Sequence, residues 1–437
     1  MPAGLILYNI ITGFLFLIGF PFLILYNLAQ GKYSSHLVER LGRYPLPLRP
    51  EKPYSGKGPI WVHAVSVGEI KAAVTLTRKI KAQLPDIPVL VSTTTPAGRE
   101  TAERLLGKEI PLIYFPLDFF PCVKRAMNHI RPRAFVALET ELWPNFIYLA
   151  ERSGSSLILA NGRISQRSFS RYKKIRWLLR PLLKRFDLLL VRDTEDAQRL
   201  VSLGADSRTV KVFGNIKYDG LLSQAGEALF SSLRQRLDIA VGRPVLVAGS
   251  TRSGEEAVLI EVYRQVKVHC PDLLLILAPR HIDRCPEIEN LLQDQRLPFQ
   301  LYGRVLSQRE PWRTEILLVD RIGDLFALYS LATLAFCGAS LVPKGGQNIL
   351  EPAAWGKVVF YGPYMEDFKD ARRLLEKAGA GFTVRDSGEL ERQVIYFLDH
   401  PEERERRGVA GREALKSQTG LTKKAAEIIA EVIRSKV

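Results

Sequence analysis

The chain has 437 residues, with 62 Lys plus Arg against 46 Asp plus Glu, a formal net charge of +16. That length suits two or three domains, and 46% hydrophobic with 25% charged residues is ordinary globular composition, which excludes wholesale disorder, collagen-like repeats and coiled coil. The basic balance points to anionic partners, namely nucleic acid, anionic lipid or a phosphorylated substrate, while widely spaced Cys122, Cys270, Cys285 and Cys337 and scattered histidines indicate neither a disulfide framework nor a structural zinc site.

No charged residue occurs from Met1 to Gly31, and Leu5 to Leu28 is almost entirely apolar, interrupted by Asn9, Thr12, Gly13, Gly19, Pro21 and Asn27. About 20 apolar residues span a bilayer core. Lys32, Arg40 and Arg43 follow while nothing basic precedes, so the positive-inside rule puts the rest of the chain in the cytoplasm. A single-pass anchor over residues 1–31 is therefore expected; a cleaved signal peptide lacks its basic n-region, and a shallow hairpin broken at Gly19 and Pro21 is the other form. Residues 32–58 read as a basic, Pro-punctuated connector with one helix around Ser35 to Leu41.

From residue 59 short apolar runs alternate with amphipathic ones. Strands are predicted at Ile60–Val65, Val89–Thr93, Ile113–Phe115, Ala134–Leu138, Ser156–Ala160, Leu188–Val191 and Val210–Phe213, with helices such as Glu69–Gln83, Pro96–Leu106 and Asp193–Ser202 between them. The pattern restarts with a strand at Pro244–Ala248, a helix at Gly254–His269, and strands at Leu273–Ala278, Glu315–Val319, Leu334–Cys337, Val358–Tyr361 and Gly381–Val384. Such alternation implies parallel sheets covered on both faces. The domains then run 59–218 and 242–400, joined by a helical link over 219–241 and followed by helices over 401–437. Both halves open alike, with a strand, a small-residue turn and Gly68-Glu69 or Gly254-Glu255 entering a helix. The expected fold class is α/β, a GT-B-type pair of Rossmann-like domains facing a cleft, preceded by the membrane helix; in open α/β sheets ligands sit outside the carboxyl ends of the strands.

Candidate chemistry lies at those ends. Glu69, in the first turn after the first strand, can accept a proton from a substrate hydroxyl or simply suit the helix dipole. Glu139-Thr-Glu-Leu-Trp-Pro144 follows a strand directly, as a catalytic carboxylate or a helix cap; its two acids are too few oxygen ligands for a hard cation. Arg163 to Arg185 holds Arg163, Arg167, Arg171, Lys173, Lys174, Arg176, Arg180, Lys184 and Arg185 and no acid, interleaved with Trp177 and leucines. That suits an anionic membrane surface or an acceptor's phosphates, or it is a solvated outer face; no recognition-helix pattern supports nucleic acid. Lys217, in Gly214-Asn-Ile-Lys217, offers a fixed positive charge or is ordinary surface. Ala248-Gly-Ser-Thr-Arg-Ser-Gly254 offers backbone N–H groups to a phosphate, Arg280 can clamp one, and Glu351 can accept two ribose hydroxyls; together with the loop Gly338 to Asn348 these point to a nucleotide, the alternative being ordinary loop punctuation and a capped helix.

Together, His63-Ala-Val-Ser-Val-Gly-Glu69, Glu139-Thr-Glu-Leu-Trp-Pro144, Asn161-Gly-Arg-Ile-Ser165, Gly214-Asn-Ile-Lys217, Pro279-Arg-His281, Gly345-Gly-Gln-Asn348 and Asn348-Ile-Leu-Glu-Pro352 resemble the 3-deoxy-D-manno-octulosonic acid (Kdo) transferase family, in order, from the apolar N-terminus to about residue 430. The family pattern often has His where this chain has Gln347. The resemblance implies a GT-B enzyme of lipopolysaccharide biosynthesis, attached to the inner membrane. It would move Kdo from CMP-Kdo to lipid IVA by an inverting route without a cofactor or metal. It implies Glu69 as general base and Glu139 and Lys217 as transition-state stabilisers. It also implies Pro279, Arg280, Ile322, Gly323, Asp324, Asn348, Ile349, Leu350 and Glu351 as the CMP site. The alternatives are another lipid-linked nucleotide-sugar transferase and a non-enzymatic, membrane-anchored nucleotide binder.

Overall fold

The computed structural model describes residues 1–30, 34–44, 58–107, 109–308 and 311–436. Of the expected connector, residues 32–33 and 45–57 lie outside the described residues; a helix forms at Ser34–Arg40. The chain divides into two compact units, Met1–Asp219 with Gly420–Val437, and Gly220–Thr419.

The first unit is built on β1 (Ile60–His63), β2 (Val89–Thr93), β3 (Leu112–Tyr114), β4 (Ala134–Leu138), β5 (Ser156–Gly162), β6 (Leu188–Val191) and β7 (Val210–Val212). All pair in parallel, in the order β3-β2-β1-β4-β5-β6-β7. Chain order reverses beside β1, which lies between β2 and β4. Alternate residues feed two cores: Ile60 and Val62 pack on one face of the sheet, Trp61 on the other. Because both faces are covered, the strands read as continuous apolar runs. The C-terminal helix Leu421–Ser435 belongs to this unit: Ala425, Ile429 and Ile433 share the core of Ile70 and Leu76 from the helix Val67–Gln83.

The second unit repeats the plan with β8 (Val245–Thr251), β9 (Leu274–Pro279), β10 (Phe299–Leu301), β11 (Ile316–Leu318), β12 (Leu334–Cys337), β13 (Val358–Tyr361) and β14 (Gly381–Thr383). They are again parallel, in the order β10-β11-β9-β8-β12-β13-β14. The reversal falls beside β8, between β9 and β12. Strand β10, absent from the sequence expectation, is three half-buried residues at the sheet edge, too short to show a period. The stretch 219–241 carries the helices Leu221–Gln224 and Glu227–Arg236.

The expected membrane span is corrected. A helix forms over Ala3–Gln30, but among the described residues no helix is long and apolar enough to cross a membrane. One side of its first half packs on the first unit instead. Leu5 is fully buried, Tyr8 donates to Asp118 at 2.9 Å, and Phe16 stacks on Phe119 at 4.4 Å. Gly4 lies where a Cβ would come within 2.7 Å of the Trp177 ring. Asn9 and Thr12 bond to carbonyls of their own helix, at 2.9 and 2.8 Å.

Candidate active site

The turn after β1 leads into the helix Val67–Gln83 through a reciprocal cap. Ser66 accepts from the Glu69 N–H, and the Glu69 carboxylate accepts from Ser66 Oγ at 2.7 Å and the Val65 N–H at 2.9 Å. Glu69 is thereby fixed at the carboxyl end of β1, 8% exposed. The turn after β4 begins at Glu139, held at a φ of 58°. Asn161 near the end of β5, Ser250 near the end of β8 and Ala339 after β12 adopt φ of 57–58° as well. Non-glycine residues held there cost stability, and such strain gathers where the surrounding structure over-determines a site.

Glu139 makes ion pairs with both Lys217 and Arg192. Burial pushes its carboxyl up, but Arg192 and Lys217, with Arg163, outweigh burial and hold it below the usual carboxylate range. Lys217 sits on a short turn, Ile216–Tyr218, whose Lys217 N–H donates to Asn215 Oδ1 at 3.1 Å. Asn161 fixes the same turn by accepting the Ile216 N–H at 3.0 Å. A Cβ on Gly68 would lie 4.0 Å from the Lys217 ammonium, so Lys217 links the Glu69 turn to Glu139.

Glu141, two residues on, is different. Trp143 Nε1 donates to it at 2.7 Å, yet burial, helped by the nearby charges of Glu69 and Glu139, pushes its carboxyl up to about 7. His63 Nε2 lies 3.9 Å from this carboxylate. The contact is no salt bridge, because burial pushes His63 down to about 3 and keeps the imidazole neutral; its Nδ1 faces Ser92 Oγ at 2.9 Å. The loop carrying both acids is anchored by the helix Pro144–Arg152. Trp143 gives that helix no side-chain cap, and half-buried Asp118 supplies one, accepting from the N–H groups of Asn145 and Phe146 at 3.1 and 2.9 Å. Phe146 packs edge-on against Trp61 at 5.0 Å.

Glu69, Glu139 and Lys217 are thus brought together, and Arg163, half-buried, is close enough to act on Glu139. Arg167, Arg171, Lys173 and Lys174 lie exposed on the helix Gln166–Lys174, which buries no residue. Arg176 and Arg180 are exposed on Arg176–Leu183, whose Leu178, Leu179, Leu182 and Leu183 are core. Tyr172 on the first of these helices feels the charge of Glu141, so the basic face borders the acidic loop. Sequence reasoning missed Arg192 and Asp118, and it quoted Asn161 within a motif without giving it a role. Arg192 directly follows β6, the same strand-end position that singled out Glu139, so that signal was available.

In the second unit, Glu255 is the counterpart of Glu69 and does different work. It is fully buried and accepts the N–H groups of Arg252, Ala339, Ser340 and Leu341 at 2.6–2.9 Å. The turn 248–254 therefore spends the Arg252 N–H on an internal carboxylate, which corrects the expectation that this donor is open to phosphate. The two loops it ties approach closely: a Cβ on Gly338 would come within 2.6 Å of Thr251 Cα. Beyond them stand the other expected nucleotide residues. Pro279 ends β9, and exposed Arg280 donates its N–H to the Thr251 carbonyl at 3.0 Å. Ile322 is 78% exposed, Gly323 turns the chain at a φ of 112°, and Asp324 opens the helix Leu325–Leu328. Asn348 donates to Glu351 at 3.2 Å and accepts the Leu350 N–H at 3.2 Å. Ile349 and Leu350 have fully buried side chains, so they shape this turn from within. Among the described residues no group of His, Cys, Asp and Glu is gathered so as to hold a metal ion.

Two parallel-sheet units of this kind are shared with solved structures. HepE from Anabaena, in complex with UDP and glucose, superposes with a TM-score of 0.57 at 18% identity over 86% of this chain and 100% of that one. The UDP-GlcNAc 2-epimerase of Neisseria meningitidis gives 0.62 at 14% identity, over 86% and 100%. These likenesses define the class by fold: GT-B-like α/β proteins.

Residues 35–220 match the family described as 3-deoxy-D-manno-octulosonic-acid transferase (kdotransferase). The Kdo transferase of Haemophilus influenzae is 32% identical over 93% of this chain and 94% of its own length, and that of Chlamydophila psittaci 31% over 91% and 89%. A bifunctional glycosyltransferase/methyltransferase of Fusobacterium nucleatum is 35% identical over 77% of this chain, which spans only 52% of that relative. The chain belongs to the Kdo transferase family and is a glycosyltransferase.

Proposed function

We propose that this transferase moves Kdo from CMP-Kdo to lipid IVA by an inverting displacement that uses no metal ion. Glu69 takes the proton of the acceptor sugar hydroxyl once the Ser66 hydroxyl yields its hydrogen bond. The freed oxygen attacks the anomeric carbon of Kdo as the bond to the CMP phosphate breaks, and the electron pair leaves with CMP. Arg280 stabilises that phosphate, and Asn348 and Glu351 hold the nucleoside. Kdo carries a carboxylate, and Lys217, Arg192 and Arg163 put three cations around the single charge of Glu139. The observation that carries this reading is the joining of Glu69, Lys217 and Glu139 at the reversal point of the first sheet.

The acceptor brings phosphates and acyl chains, so the work is done at the inner-membrane surface. Two features support that. The N-terminal helix leaves Ile10, Phe14, Leu17 and Phe22 exposed, Leu17 by 75%, while its other side packs on the first unit. The exposed basic residues from Arg167 to Arg180 surround Trp177, itself 53% exposed. An apolar strip with neighbouring cations suits lying along an anionic surface.

Glu69→Ala is the test. Loss of a general base costs about 10²–10⁴ in rate. Transfer should fall by that factor while CMP affinity stays, because Glu69 and the expected nucleotide residues lie in different units. Turnover within a factor of a few of the parent removes Glu69 from the mechanism.

A further inference from the structure

The second unit contains a cavity of about 700 Å³ that the transferase chemistry does not use. It lies at the amino ends of the strands, lined by Pro244 before β8, Thr333 before β12 and Lys357 before β13. The expected nucleotide residues follow the carboxyl ends of β9, β11 and β12 of the same parallel sheet. At about 3.3 Å per residue, the seven-residue β8 alone sets roughly 20 Å between the two ends.

Five cations line the cavity: Arg234, Arg243, Lys357, Arg404 and Arg412. Only two acids do, and one of them, Asp399, pairs with His269 at 2.8 Å. Three of the guanidiniums are aimed by backbone carbonyls, and of these Arg404 also feels the charge of Glu405, the second acid of the lining. Arg234 donates to Ile239 and Ala240, Arg243 to Asp272, and Arg404 to Phe397, at 2.6–3.2 Å. The Lys357 ammonium has no hydrogen-bond or ion-pair partner among the described residues. Burial, then the like charges of Arg404 and Arg234, push it down to about 8. Holding cations together against one another, three of them fixed by neutral oxygens, costs stability unless an anion completes the set.

We propose that this cavity is a binding site for a phosphorylated small molecule, its phosphate held by Lys357 with Arg234, Arg404 and Arg412. The volume is that of an ordinary small-molecule pocket. Phe230 and Trp355 add apolar wall for the remainder of such a ligand.

Calorimetric titration of the full chain with inorganic pyrophosphate tests it, in low salt and with CMP at saturation so that the carboxyl-end site is occupied. Saturable binding of pyrophosphate is expected. Lys357→Met, which keeps the side chain's length without its charge, should weaken it about ten- to hundredfold, as loss of one charge-assisted hydrogen bond does. Arg412→Gln changes an exposed residue, so it folds even if Lys357→Met does not, and should weaken binding in the same direction. Arg208→Gln, an equal charge change at an exposed residue of the first unit, should leave it unaltered. The proposal is overturned if the parent shows no saturable binding, or if Arg412→Gln and Lys357→Met both bind like the parent.

Discussion

Glu139 and Glu141 are two residues apart and are driven in opposite directions, one held ionised by Arg192 and Lys217, the other pushed to about 7 by burial. The difference is one of neighbours, since both side chains are largely enclosed. It has a consequence for stability. A folded carboxyl raised above its unfolded value contributes nothing unfavourable below pH 4, and its burial penalty grows as pH rises through about 7. Asp118 and Asp196, raised to about 7 and 6, act with the same sign. Glu141→Gln removes a charge that folding must desolvate. Its melting temperature should therefore gain on the parent between pH 5 and pH 8, and match it most nearly at the acid end. Thermal melts across that range check the sign; a variant that loses ground as pH rises would mean that Glu141 is ionised and usefully paired. The nucleotide residues give a second test. Glu351→Gln and Arg280→Ala should each weaken CMP about ten- to hundredfold by calorimetry and leave acceptor binding unchanged. Unchanged affinity in both would put the nucleotide elsewhere.

At the scale of elements, the buried strands were legible to within a few residues. A strand covered on both faces must be an apolar run bounded by turn residues, and β2, β4, β6, β12 and β13 begin and end where those runs do. Contacts across long sequence separations were not legible. The apolar N-terminal segment reads as a bilayer span on hydropathy alone, yet Tyr8 finds its partner at Asp118, 110 residues away, and Phe16 finds Phe119. Glu139 was picked out by its place after a strand, while its partner Arg192 lies 53 residues on. The N-terminal helix and the basic helices Gln166–Lys174 and Arg176–Leu183 make a joint prediction. Without residues 1–31 the protein should still bind anionic vesicles at low salt and leave them at high salt, since surface charge is screened within about 10 Å at 0.1 M. Neutralising Lys173, Lys174, Arg176 and Arg180 in that truncated chain should abolish binding in a flotation assay. Salt-independent binding, or none before neutralisation, would make this face an ordinary solvated one.

Across the whole molecule, the duplication visible in the two strand–turn–Gly-Glu openings is a duplication of architecture, not of chemistry. Glu69 keeps a slightly exposed carboxylate held by its own cap, whereas Glu255 is consumed as a staple between the loops after β8 and β12. Sequence likeness could not separate the two, because the difference lies in which backbone N–H groups the fold brings to each carboxylate. The central claim is that this Kdo transferase uses CMP-Kdo on lipid IVA. Mass spectrometry of lipid IVA after incubation with the protein and CMP-Kdo tests it most directly. The expected result is lipid IVA heavier by whole Kdo residues, with one CMP released for each, and neither seen with Glu69→Ala. Lipid IVA left unmodified by CMP-Kdo but glycosylated when a UDP-sugar is supplied would contradict it.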